Sequence, residues 1–328
     1  MAIQEHMINL DLPPSKRWEF LTIYKKEVNE LLQCYLNDFG DADFIHHHIS
    51  AYKQSIISKE YLEEIDFIAS ISDFSSDQVL IANLYYDILK FYLGCTAFAV
   101  EHEQTIYHAR NLDWHTENNL LGQRSRIFNF QKNGKTVFKT LSWPGFIGAL
   151  SGSKPGKFSL TLNAVSSNDS PEIALPVSFL LREILDSSDS FEQAKGVLEN
   201  ATIASDCLIL LSGNASKQMV VIERTPKRSS TRETDQGYIV VTNDYKQLKN
   251  HLIGESILQS TSCGRYDRAE ELIRMNSPKN SEDCLGILRD NDVIMNITVQ
   301  HMVFNNRTGE ITFIKANGRN PFPATDET

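Results

Sequence analysis

The hydrophobic period of the chain changes near residue 95. Before it, Trp18, Leu21, Tyr24, Val28, Leu31 and Leu32 fall three or four apart and predict a helix from Lys16 to Cys34. A second helix is expected over residues 59–70. A third opens at Ser75-Ser76-Asp77-Gln78, where Ser75 and Gln78 stand at capping-box spacing, and runs through Val79, Leu80, Leu84, Tyr85, Ile88, Leu89 and Leu93. Gly94 is its expected stop, because glycine takes the left-handed turn that ends many helices. That helix is therefore expected to end directly against Cys95.

From Cys95 onward the period moves toward two. Residues 95–101 and 105–112 read as paired strands around a tight turn at Glu103-Gln104, and Arg126 to Leu141 as a hairpin with Asn133-Gly134 as its type I′ turn. Phe158 to Val165 reads as a strand, and residues 177–200 as two helices. Cys207 to Leu211 and Met219 to Ile222 pair across Gly213-Asn214, and Gly237 to Thr242 is a further strand. Helices follow near 265–275 and 281–289. A hairpin closes the chain, Ile297 to Phe304 and Glu310 to Lys315, turning at Asn306-Arg307-Thr308-Gly309. The polar stretch Lys227 to Gln236 reads as an exposed loop. This order predicts an α+β fold, a four-layer αββα sandwich of two sheets covered by helices. It spans residues 95–328 and follows a helical region over residues 1–94.

Composition narrows the function classes. With 42 acidic against 32 basic residues and a net charge of −10, the chain lacks the basic face that nucleic acid requires. Its five cysteines are odd in number and irregular in spacing, which fits neither a disulfide framework nor a zinc site. His46-His47-His48 are consecutive and do not converge on one ion, so no metal and no cofactor is expected. The opening residues Met1 to His6 have neither a basic start nor an apolar run, and no stretch reaches the length of a membrane span. A soluble product is expected, cytoplasmic or exported without a cleavable signal.

Cys95 is the candidate nucleophile. A free thiol titrates near 8.5 and needs a base. A papain-like solution would recruit one of His102, His108, His115, His251 or His301, none of which stands in such a signature. The other solution is the α-amine of the cysteine itself, which titrates at about 7.7–8.0 and accepts the thiol proton near neutrality. That amine exists only if the Gly94–Cys95 bond is cut. Arg110 favours the thiolate and Asp113 is suited to orient the amine. Three residues apart on a regular strand, they point to opposite faces. For both to face Cys95, the strand must bend or end near Leu112.

At these residues the chain resembles acid ceramidase and N-acylethanolamine-hydrolysing acid amidase, members of the choloylglycine hydrolase group of N-terminal-nucleophile hydrolases. Asn9-Leu10-Asp11-Leu12-Pro13-Pro14-Ser15-Lys16-Arg17-Trp18 resembles the family's opening segment. Cys95-Thr96 and Arg110-Asn111-Leu112-Asp113 resemble its nucleophile and Arg/Asp pair. Ser142-Trp143-Pro144-Gly145-Phe146-Ile147-Gly148 and Leu160-Thr161-Leu162-Asn163 resemble its Trp-Pro-Gly segment and next strand. Val241-Thr242-Asn243-Asp244-Tyr245 resembles the segment with the oxyanion-hole Asn, and Arg265-Tyr266-Asp267-Arg268-Ala269 its late active-site Arg, at Arg265. Where the ceramide and ethanolamide branch often has Glu-Arg after the Asn, this chain has Ala164-Val165.

The resemblance implies a self-processing cysteine amidase that cuts between Gly94 and Cys95 into fragments that stay associated. Its catalytic residues would be Cys95, Arg110, Asp113, Asn243 and Arg265. Trp114, Trp143, Phe146 and Asn163 are expected to bind substrate, an N-acyl lipid such as a ceramide or N-acylethanolamine, in an apolar acyl channel. Lipid delivery implies peripheral contact with a membrane or detergent. Conjugated bile salts, penicillin V and acyl-homoserine lactones are alternative amides for the same chemistry. A non-catalytic, uncut lipid-binding homologue is the alternative from another class.

Overall fold

The computed structural model describes residues 4–39, 43–89, 93–249 and 257–316, with side chains for all of these except 43–48, 93 and 257–259. The chain opens with a strand, β1 (Glu5–Asn9), and two 3-10 turns, Pro14–Lys16 and Glu19–Tyr24. Five helices follow: α1 (Lys25–Phe39), α2 (Asp43–Ser55), α3 (Lys59–Ile71), α4 (Ser76–Asn83) and α5 (Tyr85–Leu89). The helix expected from Lys16 thus begins at Lys25. Pro13 and Pro14 fix an irregular approach that still buries Trp18 and Leu21. Helix α2 was not expected, and the side chains of His46, His47 and His48 on it lie outside the described residues. The Ser75/Gln78 capping box is present, but the helix it starts breaks at Leu84.

Gly94 does not cap a helix. It lies inside β2 (Leu93–His102), which pairs antiparallel with β3 (Thr105–Trp114) around Glu103 and Gln104, both at positive φ. Residues 90–92, where the expected helix would have run into Cys95, are outside the described ones.

A short helix α6 (Leu120–Arg124) leads to β4 (Arg126–Lys132), β5 (Lys135–Ser142), β6 (Ser151–Lys154) and β7 (Phe158–Asn163). Asn133 and Gly134 make the expected turn, with φ of 50° and 69°. Helices α7 (Val177–Ser187) and α8 (Phe191–Asn200) precede β8 (Cys207–Gly213), β9 (Met219–Arg224), β10 (Ser229–Glu233) and β11 (Tyr238–Val241). Strand β10 corrects the loop expected over Lys227 to Gln236: its five residues are mostly half-exposed and polar because it is the edge partner of β9. The chain then forms α9 (Ile257–Asn276), α10 (Ser281–Leu288), β12 (Thr298–Asn305) and β13 (Glu310–Lys315).

The strands form an eight-stranded sheet in the order β1-β4-β5-β6-β7-β8-β9-β10 and a five-stranded sheet in the order β11-β2-β3-β12-β13. Helices α7 and α8 cover the larger sheet, and α9 and α10 cover the smaller. Between the sheets, Ala97 and Ala99 of β2 meet Leu208, Leu210 and Val221. Beneath α9 and α10, Phe98, Val100 and Val240 meet Ala269, Ile273 and Leu285. Alternation along β2 makes this possible, since 95, 97 and 99 face the other sheet while 96, 98 and 100 face the helices. The stretch before Cys95 is not wholly helical, because β1 joins the larger sheet parallel to β4.

Candidate active site

Cys95 stands near the start of β2, directly across from Leu112, and shares its face with Ala97 and Arg110. Ala97 lies opposite Arg110, and its small side chain leaves the guanidinium room to lie along the inner face. Arg110 Nη2 is 3.1 Å from Cys95 Sγ. The same guanidinium donates to the Leu150 carbonyl at 3.1 Å, to the Ser151 hydroxyl and to the Leu162 carbonyl. It is therefore fixed by strands β6 and β7 of the opposite sheet while it faces the sulfur. The Leu162 carbonyl is also 3.7 Å from Sγ.

The backbone of Cys95 is gripped in the plane of the sheet. Its N–H donates to Asn243 Oδ1 at 3.1 Å. Its carbonyl accepts from Arg265 Nη1 at 2.7 Å, and the same nitrogen donates to Thr96 Oγ1 at 2.8 Å. Arg265 Nη2 donates to Asn243 Oδ1 at 2.8 Å, so one amide oxygen receives both the backbone N–H and the guanidinium. Asn243 is held in turn by its own N–H on Ser262 Oγ at 2.9 Å and by Nδ2 on the Ala164 carbonyl at 2.7 Å. Asn163 Nδ2 reaches the carbonyls of Val241 and Thr242, at 3.2 and 2.9 Å, tying β7 to the end of β11.

Strand β3 runs without a bend through Leu112 to Trp114, so Arg110 and Asp113 stay on opposite faces. Asp113 lies across from Gly94, whose lack of a side chain leaves only backbone there. Its Oδ1 accepts from the Thr298 hydroxyl at 2.5 Å, and Arg265 Nη1 is 3.8 Å from Oδ2. Burial pushes the Asp113 carboxyl above its ordinary range, against the pull of Arg265, Thr298 and Arg110. Burial likewise lowers Arg265, opposed by Asp113. Both shifts follow from full desolvation of a pair too far apart to hydrogen bond. On the helix-covered side Asn243 thus receives the N–H of the Gly94–Cys95 peptide and Arg265 holds the carbonyl of the next one, while the sulfur lies on the inner side with Arg110.

The chain has known relatives. The acyl-coenzyme A:6-aminopenicillanic acid acyl-transferase family matches residues 100–320. Acid ceramidase of Macaca fascicularis is 32% identical over 281 residues, covering 75% of this chain and 70% of that protein. The chain belongs to the acid ceramidase family. The Homo sapiens acid ceramidase is 31% identical over 278 residues, with 74% of this chain and 70% of that protein covered. Among solved structures, the Caenorhabditis elegans N-acylethanolamine-hydrolyzing acid amidase ortholog superposes with a TM-score of 0.56 at 23% identity, over 64% of this chain and 92% of that one. It shares the αββα fold of the N-terminal-nucleophile hydrolases.

In this member of the acid ceramidase family, Arg110, Asn243 and Arg265 contact Cys95, Asp113 lies across from Gly94 beside Arg265, and Asn163 is tied to the residues just before Asn243. Trp114, Trp143 and Phe146 form a buried aromatic cluster with Tyr35 and Tyr85. Trp114 and Trp143 meet edge to face at 5.5 Å, Trp143 and Phe146 stack at 5.2 Å, and Tyr85 and Trp114 lie 4.8 Å apart. A cavity of about 540 Å³ lies beside the cluster, lined by Glu30, Cys34 and Asp38 of α1 and by His115, Glu117 and Arg124. The Tyr85 hydroxyl links the two by donating to Asp38 at 2.7 Å.

Sequence reading missed Thr298, Ser262, Ser151 and this cavity, whose residues come from distant segments. Among the described residues no group of three or more His, Cys, Asp or Glu is placed to hold a metal, and no helix is long and apolar enough to cross a membrane.

Proposed function

We propose that the chain is a self-processing cysteine amidohydrolase that releases a fatty acid and an amine from an N-acyl lipid, a ceramide or an N-acylethanolamine. The observation that carries the reading is the contact of Arg110 with Cys95 Sγ at 3.1 Å, on a residue whose own N–H and C=O are held by Asn243 and Arg265. A guanidinium at that distance sets a charged donor against the sulfur that would attack.

In self-processing, Cys95 Sγ attacks the Gly94 carbonyl carbon. The C–N bond breaks, the amide nitrogen takes up the proton lost by the thiol, and a thioester joins Gly94 to the sulfur. Water then hydrolyses the thioester to a Gly94 carboxylate and a free thiol. The products are residues 1–94 and a catalytic fragment 95–328 that keeps the first in place. In turnover the new α-amine takes the thiol proton, the sulfur attacks the substrate amide, the protonated amine gives its proton to the leaving nitrogen, and water then hydrolyses the acyl thioester to the fatty acid and the free thiol. Asn243 and Arg265 supply the donors for the oxyanion, and Asp113 stabilises the protonated amine.

Processing precedes turnover in this reading, because Cys95 is 1% exposed in the continuous chain and no substrate carbonyl reaches it. Trp114, Trp143, Phe146 and Asn163 then line the acyl site, with lipid drawn from a membrane or detergent surface. The test is hydrolysis of ceramide, N-acylethanolamine, conjugated bile salt, penicillin V and acyl-homoserine lactone by the cut protein. Preference for the first two supports the reading. Preference for one of the others reassigns the substrate, and no hydrolysis of any by a cut chain overturns it.

A further inference from the structure

We propose that Thr298 is a positioning residue that holds Asp113 in its carboxylate form beside the Gly94–Cys95 peptide and thereby sets the pH range over which Cys95 works. This rests on the self-processing reading above.

Strand β12 pairs Gln300 with Leu112, so regular pairing would set residue 299 opposite Asp113. The register shifts instead, and Thr298 takes that place. One extra residue, Val299, is accommodated, which is how a bulge re-aims a neighbouring side chain. A valine opposite Asp113 could donate nothing, whereas the threonine does.

Toward an ionised Asp113, which can only accept, that bond has one direction. Thr298 Oγ1 accepts from the Met295 N–H at 3.0 Å, and its own N–H donates to the Met295 carbonyl at 3.1 Å. A hydroxyl has one proton to give. With its lone pair turned to Met295, Thr298 gives that proton to Asp113 Oδ1 at 2.5 Å. A bond donated to a carboxylate stabilises the charged form. Asp113 Oδ2 has no hydrogen bond among the described residues.

The other groups that bear on Asp113 are few. Arg265 approaches from α9 at 3.8 Å, beyond hydrogen-bond reach, and Arg110 on the same strand points to the opposite face. Along the helix-covered face, His301 of β12 donates from Nδ1 to Asn111 Oδ1, because Asn111 Nδ2 is turned to the Leu288 carbonyl. Burial, with Arg289 nearby, keeps His301 neutral. Among the described residues Thr298 is therefore the sole hydrogen-bond donor on a fully buried carboxylate that burial drives toward protonation.

The test compares Thr298→Val and Thr298→Ser in the full-length chain, following cleavage at Cys95 by intact mass between about pH 4 and 8. Valine keeps the volume and removes the donor. A hydrogen bond to a charged group converts to a shift of roughly one to two pH units. Loss of the donor raises the pH at which Asp113 ionises, so the acid limb of T298V moves upward by that amount while T298S follows the wild type. Coincident profiles for T298V and wild type overturn the proposal, as does equal slowing of both variants at every pH. If T298V fails to fold, Thr298→Cys, a weaker donor of similar size, takes its place.

A wild-type chain that is never cut would refute the proposed function but leave this inference testable. In the uncut Cys95→Ala chain, the Asp113 carboxyl resonance, assigned with Asp113→Asn, reports the carboxyl directly. A higher midpoint in T298V supports the proposal, and an unchanged midpoint overturns it.

Discussion

Arg265 donates to the carbonyl of Cys95 itself, at 2.7 Å, rather than to its sulfur. The guanidinium and the thiol lie on opposite sides of strand β2. Arg265 therefore holds the peptide that follows Cys95 and the Asn243 amide that receives the Cys95 N–H, while Arg110 contacts the sulfur, the proposed nucleophile.

That division predicts separable phenotypes. Arg265→Met strips a donor from a buried carbonyl and frees Asn243 Oδ1 from its only charged partner. Self-cleavage should slow by roughly two to three orders of magnitude, the scale for loss of a preorganised donor. Arg265→Lys should recover little, because one ammonium does not reproduce the fork to Cys95, Thr96 and Asn243. The half-life of the uncut chain measures both.

Arg110→Gln should slow self-cleavage. Without the guanidinium, Cys95 Sγ loses the charged donor that stands 3.1 Å away. The orphaned carbonyls of Leu150 and Leu162 should also cost stability, on the order of 1–3 kcal/mol each. Rate profiles and urea midpoints on one preparation separate the two effects.

Glu64 is fully buried on α3 and holds Arg182 of α7 by two bonds, at 2.5 and 2.8 Å. It also accepts from Trp18 Nε1 at 2.8 Å and from Arg17 at 3.1 Å. Burial opposes its ionisation, but Arg182, Trp18 and Arg17 together outweigh burial and hold the carboxyl below its usual range. This gives Arg17-Trp18 of the opening segment a physical role. Glu64→Ala leaves Arg182 buried and unpaired and should cost about 3–5 kcal/mol, read as a fall in melting temperature. Because the cluster joins residues on both sides of the proposed cut, the loss should be larger in processed than in uncut protein.

Two buried histidines predict acid sensitivity. Burial and the nearby Arg110 lower His108 to about 3, and burial with Arg289 lowers His301 to about 4. An unfolded histidine titrates near 6.5, so below that pH the unfolded chain binds protons that the folded chain refuses. Their contribution to stability is complete above about pH 6.5 and is lost as pH falls toward 4 and 3, at up to about 1.4 kcal/mol per pH unit for each. Urea midpoints should drop between pH 7 and 5, and His301→Gln should flatten that slope.

The change of hydrophobic period at residue 95, the hairpin turns and the order of strand pairs and helices made the sandwich legible from sequence. The nucleophile and its strand partner were legible for the same reason, since two short strands joined by Glu103-Gln104 must pair. Gly94 misled because a glycine after a helical pattern reads as a cap, yet here it faces Asp113 from within a strand. The opposite facing of Arg110 and Asp113 followed from strand period, but their separate roles depend on α9, which arrives 150 residues later. Thr298 was not legible: its place opposite Asp113 depends on a register shift that no local pattern encodes.

The central claim is that Cys95 cuts the bond before it. Intact mass and N-terminal sequencing of the purified chain, incubated near pH 5 and pH 7 beside Cys95→Ala, test it most directly. The account predicts a fragment beginning at Cys95 in the wild type and only uncut chain in the variant. Uncut wild-type chain at both pH values, or the same fragment from Cys95→Ala, would contradict it.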